Sequence, residues 1–83
     1  MRILYFAWLR ERVGIAEETV DLPADIRNVA GLLDWLRSRG DTYATALADL
    51  SMVRVAVNQD YARPDDPVSA NDEVALFPPV TGG

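Results

Sequence analysis

Three residue types are missing from this 83-residue sequence: cysteine, histidine and lysine. Without cysteine and histidine the chain cannot form disulfides, and it lacks thiolate nucleophiles, imidazole bases and the usual ligands of zinc and copper. We therefore expect no metal site and few of the common catalytic arrangements. Because lysine is absent too, there is no side-chain amine to which the activated carboxyl group of another copy could be joined.

Long apolar stretches are also absent. No run approaches the ~20 residues of a membrane span, and the first residues lack the basic leader and cleavage site of a signal peptide. We expect a soluble, cytoplasmic protein with no membrane association. Eight basic and 13 acidic residues give a net charge of −5 and a pI near 4.4. This balance argues against a nucleic-acid partner and favours a basic protein surface.

Strand-like patterns are predicted over residues 2–6, 17–22, 52–57 and 72–77. The first is apolar on both faces, which is typical of a central strand. Pro78 and Pro79 end the last one, because proline cannot donate to a sheet ladder. A short helical turn is predicted over residues 7–13, and residues 58–60 are predicted to form a turn.

The clearest helical pattern follows Asn28, which is a good N-cap residue. Apolar residues recur there at positions i, i+3, i+4 and i+7, which predicts an amphipathic helix: Val29, Leu32, Leu33 and Leu36. Gly40 is the predicted end of this helix. Asp41 or Thr42 is then expected to cap a second, shorter helix.

The order of these elements predicts an α+β fold in which a mixed sheet is covered on one face by a main helix. The first and last strands are natural parallel neighbours at the centre of such a sheet. We expect residues 1–77 to form a single domain and residues 78–83 to form an extended tail.

The tail is the most distinctive stretch of the sequence. It consists of Pro78, Pro79, Val80, Thr81, Gly82 and Gly83. We expect it to end in a free carboxylate. Two glycines leave no side chain beside that carboxylate and give the backbone the freedom to enter a narrow channel. A frayed chain end is the alternative interpretation.

Three motifs indicate a family. The strings FAWLRERVG near the start, VAVNQ before the middle turn, and DEVA followed by FPPVTGG at the end resemble the small sulfur-carrier subunits of molybdopterin synthase. The resemblance covers the whole chain and implies a ubiquitin-like β-grasp fold. One departure is Asn71, where such proteins typically carry glycine. Asparagine tolerates positive φ, so the turn can keep its form.

The resemblance implies a reaction at Gly83. An E1-like adenylyltransferase would adenylate its carboxylate with ATP, and sulfur would replace the adenylate to leave a thiocarboxylate. The tail would then enter the large subunit of molybdopterin synthase and give its sulfur to a cyclic pterin precursor. ATP and pterin would be bound by the partners, with no cofactor on this chain. Catalytic groups are expected on the large subunit, in a heterotetramer containing two carriers.

The resemblance also places partner contacts on the sheet face away from the main helix, at Phe6, Arg10, Tyr61 and Phe77. Strand alternation supports this, because it puts Phe6 and Phe77 opposite the helix-covered side. In the alternative interpretation the two phenylalanines are ordinary core residues.

Other functions remain open from the sequence. The chain could carry sulfur for another pathway, such as thiamine thiazole synthesis or tRNA thiolation, or could be a ubiquitin-like modifier or adaptor. Two pairs of adjacent carboxylates, at residues 17–18 and 65–66, are interpreted as structural or solvated groups rather than as metal ligands.

Overall fold

The computed structural model describes residues 1–79. Five strands, three α-helices and one 3₁₀ turn follow each other in the order β1, α1, β2, α2, α3, 3₁₀ turn, β3, β4 and β5. Their bounds are Arg2–Tyr5, Trp8–Val13, Glu17–Thr19, Val29–Arg37, Asp41–Ala46, Leu50–Met52, Arg54–Val57, Asp60–Ala62 and Glu73–Phe77. All of the predicted elements are present, and β4 was not predicted.

The five strands form one mixed sheet in the order β2-β1-β5-β3-β4. Strand β1 runs parallel to β5, with Ile3 opposite Val74, and antiparallel to β2. Strand β3 is antiparallel to both of its neighbours. The prediction that the first and last strands are parallel neighbours near the centre is confirmed, and so is the predicted α+β, ubiquitin-like arrangement.

Helix α2 forms as its apolar pattern predicts. The side chain of Asn28 accepts a hydrogen bond of 2.8 Å from the backbone N–H of Gly31, which caps the first turn. The predicted end was wrong, because the helix stops at Arg37 with Ser38 as C-cap. Gly40 instead precedes α3 with φ of 154°, and α3 has no side-chain cap, so the prediction of a cap at Asp41 or Thr42 was wrong too.

The core lies between the sheet and the helices. Its most completely buried side chains come from β1, α1, α2, α3's C-terminal end and β5: Ile3, Tyr5, Leu9, Val29, Leu32, Leu36, Leu47, Val74 and Leu76. Burying one such leucine or valine contributes about 1.5–3 kcal/mol to the free energy of unfolding. On β5 the buried residues alternate with half-buried ones, so one face of the central strand is left for other contacts.

Strand β4 is joined to β3 by a two-residue loop. Asn58 and Gln59 have φ of 51° and 72°, and Val57 pairs with Asp60 on either side of them. Positive φ at both loop positions is the geometry that matches the twist of a hairpin. The prediction that Asp60 belongs to the turn was therefore wrong, since it begins β4. The side chain of Asn58 also accepts a 3.0 Å hydrogen bond from the N–H of Glu73, which ties the loop to β5.

Candidate partner interface

The sheet surface opposite the helices, called the outer face below, is formed by every second residue of the strands. One row crosses four strands through registered pairs: Leu4, Ala75, Ala56 and Tyr61. In the next row Phe77 lies opposite Arg54. Ala56 and Ala75 have short side chains and lie in the middle of the outer face. The aromatic side chains therefore project further from the sheet than its middle does.

Three aromatic side chains belong to this surface, and the strands fix their positions. Tyr61 is 79% exposed and Phe6 is 48% exposed, whereas Phe77 is half-buried. The rings of Tyr61 and Phe77 have centroids 5.8 Å apart at an interplanar angle of 51°. The N–H of Phe6 donates a 3.0 Å hydrogen bond to the carbonyl of Leu76, which holds Phe6 beside the end of β5. The alternative that Phe6 and Phe77 are core residues was wrong.

Arg10 lies on α1, one turn after Phe6. This helix begins after Ala7, which has φ of 54°, and ends at Gly14, whose N–H donates a 2.8 Å hydrogen bond to the carbonyl of Arg10. Leu9 and Val13 face the core, so Arg10 is exposed to solvent. Within residues 1–79 its guanidinium lies within 4 Å of no carboxylate.

The outer face ends where the tail begins. Strand β5 ends at Phe77, as predicted, and Pro78 and Pro79 follow it half-buried. The remaining predicted tail residues, from Val80 through Thr81 and Gly82 to the reacting Gly83, lie outside the described residues. The aromatic residues and the start of the tail are therefore adjacent in the structure.

The adjacent carboxylates Glu17 and Glu18 lie on opposite faces of the sheet. Glu17 is paired with Arg2 on the outer face, with 2.6 Å between Nε and Oε2. Glu18 points to the helix side. Asp66 accepts a 2.7 Å hydrogen bond from the N–H of Arg63 within its own loop. Residues 1–79 contain no cluster of carboxylates that could hold a metal ion, and none of their helices is long and apolar enough to cross a membrane.

Glu18 is the centre of a polar cluster that the sequence did not reveal. Its carboxylate accepts hydrogen bonds from the hydroxyls of Tyr5 and Tyr43, at 2.8 and 2.7 Å, and from Arg39, at 2.9 Å. Burial raises the pKa of Glu18, but the hydrogen bonds outweigh it and leave this pKa below its ordinary value. Burial and the carboxylate together raise the pKa of Tyr5 and of Tyr43. The cluster links β1, β2 and the helices, and is structural.

A family model described as the ThiS family matches residues 3–83. The chain belongs to the ThiS family. A molybdopterin synthase sulfur carrier subunit from Escherichia coli is 40% identical over 83 residues, with 100% of this chain and 99% of that protein covered. A human protein of the same description is 31% identical over 87 residues, covering 100% and 93% of the two chains.

A solved structure of a similar protein agrees with the fold. The crystal structure of SAMP1, a small archaeal modifier protein from Haloferax volcanii, matches with a TM-score of 0.75 and 32% identity. The match covers 100% of this chain and 98% of that one. The predicted family and the predicted β-grasp fold are thus confirmed, whereas the roles of Phe6, Arg10, Tyr61 and Phe77 stay predictions.

Proposed function

We propose that this chain is a sulfur carrier that acts through the C-terminal carboxylate of Gly83, as the small subunit of molybdopterin synthase. One observation carries the proposal: identity of 40% over all 83 residues with a molybdopterin synthase sulfur carrier subunit from Escherichia coli. Relatives of the same description in other bacteria and in eukaryotes support it. The family match also continues to Gly83 itself.

The proposed chemistry has two stages. A carboxylate oxygen of Gly83 attacks the α-phosphorus of ATP on an E1-like enzyme, and pyrophosphate leaves. Sulfide delivered by a donor then attacks the acyl carbon, AMP leaves, and a thiocarboxylate remains. On the large subunit the thiocarboxylate sulfur attacks a carbon of a cyclic pterin precursor, and an oxygen substituent of that carbon leaves. Water then hydrolyses the thioester between Gly83 and the pterin, which leaves the sulfur on the pterin and returns Gly83 to a carboxylate. Catalytic groups and the binding sites for ATP and the pterin are assigned to the partners. This chain itself has no cysteine to carry the sulfur and no histidine to act as a base.

The outer face is proposed to dock on the large subunit while the tail enters its active site. Phe77 is the last residue of β5 and Pro78 the first of the tail, so docking at the aromatic residues also fixes the point from which the tail starts. Five residues from Pro79 span at most ~17 Å in extended form, which sets the depth of the site that Gly83 can reach. Two carriers and two large subunits are expected in the complete assembly.

Reconstitution tests the proposal. The chain is incubated with its E1-like enzyme, ATP and a sulfur source, and its intact mass is measured before and after addition of the large subunit and the cyclic pterin. We expect an ATP-dependent replacement of one oxygen by sulfur, followed by its loss when both the large subunit and the pterin are present. A thiocarboxylate that persists in the presence of both would assign the carrier to a different pathway.

The likeness to SAMP1 favours a second candidate, a protein modifier whose Gly83 is joined to an amine of a target. The same mass measurement separates the two functions. A modifier would give an amide-linked conjugate at the summed mass of the two proteins less one water, whereas a sulfur carrier returns to its original mass.

A further inference from the structure

The two ends of the outer face differ in how their arginines are neutralised. Arg2 lies at the end far from the tail and is paired with two carboxylates, Glu17 at 2.6 Å and Glu73 at 3.3 Å. Arg54 lies at the tail end, directly opposite Phe77 in the β3–β5 ladder. No carboxylate of residues 1–79 lies within 4 Å of its guanidinium. Among residues 1–79, nothing therefore neutralises the positive charge at the tail end of the outer face.

Backbone carbonyls hold the side chain of Arg54 in place but accept hydrogen bonds from only one of its nitrogens. Its Nη1 donates to the carbonyl of Ser51 at 3.2 Å and, more weakly, to that of Val53 at 3.5 Å. Within the described part of the chain, Nε and Nη2 make no hydrogen bond. An arginine has five N–H donors in a planar fork. The edge of the guanidinium formed by Nε and Nη2 can therefore still donate to a carboxylate.

Arg54 also lines a cleft of about 340 Å³ together with Tyr61 and Phe77. Val55 and Ala62 also line this cleft, but their side chains pack on the helix side of the sheet, so the apolar surface beside the guanidinium comes from the rings of Tyr61 and Phe77. When a partner covers such a cleft, the loss of water strengthens an ion pair with a bidentate carboxylate. The geometry thus combines one charged group with two aromatic surfaces.

We propose that this cleft binds an acidic side chain, aspartate or glutamate, of the protein partner that docks on the outer face, with the carboxylate paired to Arg54. The inference rests on the proposed function, because it specifies the chemistry of that same docking surface. The proposed acidic contact differs from the expectation drawn from composition, because a net charge of −5 favours a basic partner surface. The part of the partner surface that covers this cleft is acidic and apolar instead.

Affinity for the large subunit of molybdopterin synthase tests this inference through Arg54→Ala and Arg54→Glu. Arg27→Glu is the matched control, because Arg27 is exposed, lies in the loop before α2, and undergoes the same change of charge. We expect about a 10-fold loss of affinity for Arg54→Ala and about 100-fold for Arg54→Glu, against less than about 3-fold for Arg27→Glu. Unfolding in urea confirms that each variant is folded.

Phe77→Ala separates failure of this inference from failure of the proposed function. If Phe77→Ala weakens binding while both Arg54 variants behave as Arg27→Glu does, the acidic contact is wrong and the docking surface stands. If Phe77→Ala has no effect either, the docking surface itself is wrong. A charge-reversing substitution of an acidic residue on the large subunit that restores binding to Arg54→Glu would identify the contact.

Discussion

Tyr61 and Phe77 lie on two strands that both pair with β3, and their rings meet across it with centroids 5.8 Å apart. The residue of β3 opposite Tyr61 is Ala56, which is small enough to leave room for the rings above it. A pair of aromatic rings outside the core, one exposed and one half-buried, is more typical of an interface on a small domain. Phe77 immediately precedes the tail, so a docking contact at this pair would position the chain end.

Phe77→Ala separates binding from stability. We expect it to weaken large-subunit binding by ~2 kcal/mol or more, because a half-buried aromatic anchor is lost. Leu36→Ala, at a fully buried position, is the control and should cost ~2–5 kcal/mol in the free energy of unfolding. Calorimetric titration and urea unfolding measure the two effects. If Phe77→Ala unfolds the domain as severely as Leu36→Ala and leaves the affinity of folded molecules unchanged, the docking role of Phe77 is wrong.

Glu18 should make the domain sensitive to acid. Because its pKa is lowered in the folded state, its contribution is present above the ordinary value of 4.5 and is lost as the pH falls through the folded pKa. Glu18→Gln should therefore reduce the free energy of unfolding by ~1–3 kcal/mol at neutral pH, and the difference from the wild type should shrink as the pH falls below 4.5. Urea unfolding across this pH range measures both.

The neighbouring Glu17→Gln is the control for that prediction. Its partner Arg2 is exposed, so the ion pair contributes only about 0–1 kcal/mol. Equal effects of the two substitutions would mean that the cluster around Glu18 has no special structural role.

The loop between β3 and β4 offers a stabilising substitution. Gln59 has φ of 72°, where a residue with a side chain is strained by ~1–2 kcal/mol, and glycine is not. Gln59→Gly should raise the free energy of unfolding by ~0.5–1 kcal/mol after the entropic cost of glycine, whereas Gln59→Ala should give no gain. Thermal unfolding of the wild type and the two variants measures these differences. A glycine variant less stable than the alanine variant would contradict the assigned turn geometry.

Local patterns predicted the parts of the fold that depend on one strand or helix. On β5, Val74 and Leu76 are buried and Ala75 and Phe77 are not, as alternation requires. The proline stop after Phe77 and the cap at Asn28 are likewise properties of neighbouring residues. These features also placed Phe77 correctly on the outer face.

Long-range contacts could not be predicted in the same way. Strand β4 has three residues, too few to show an alternation of apolar and polar residues. It forms because β3 pairs with it across a two-residue loop. The hydrogen bond between Arg39 and Glu18 joins residues 21 positions apart. The guanidinium of Arg39 also lies 4.8 Å from the ring centre of Tyr43, another contact of the polar cluster.

Intact-mass measurement of tail variants tests the central claim, that Gly83 is the residue which carries sulfur. Deletion of Gly83, or addition of one glycine after it, moves the carboxylate by ~3.4 Å, whereas catalytic geometry tolerates about 1 Å. With the E1-like enzyme, ATP and a sulfur source, we expect the wild type to gain sulfur and both variants, folded as judged by urea unfolding, to remain unmodified. Sulfur incorporation at the wild-type rate in either variant would contradict the account.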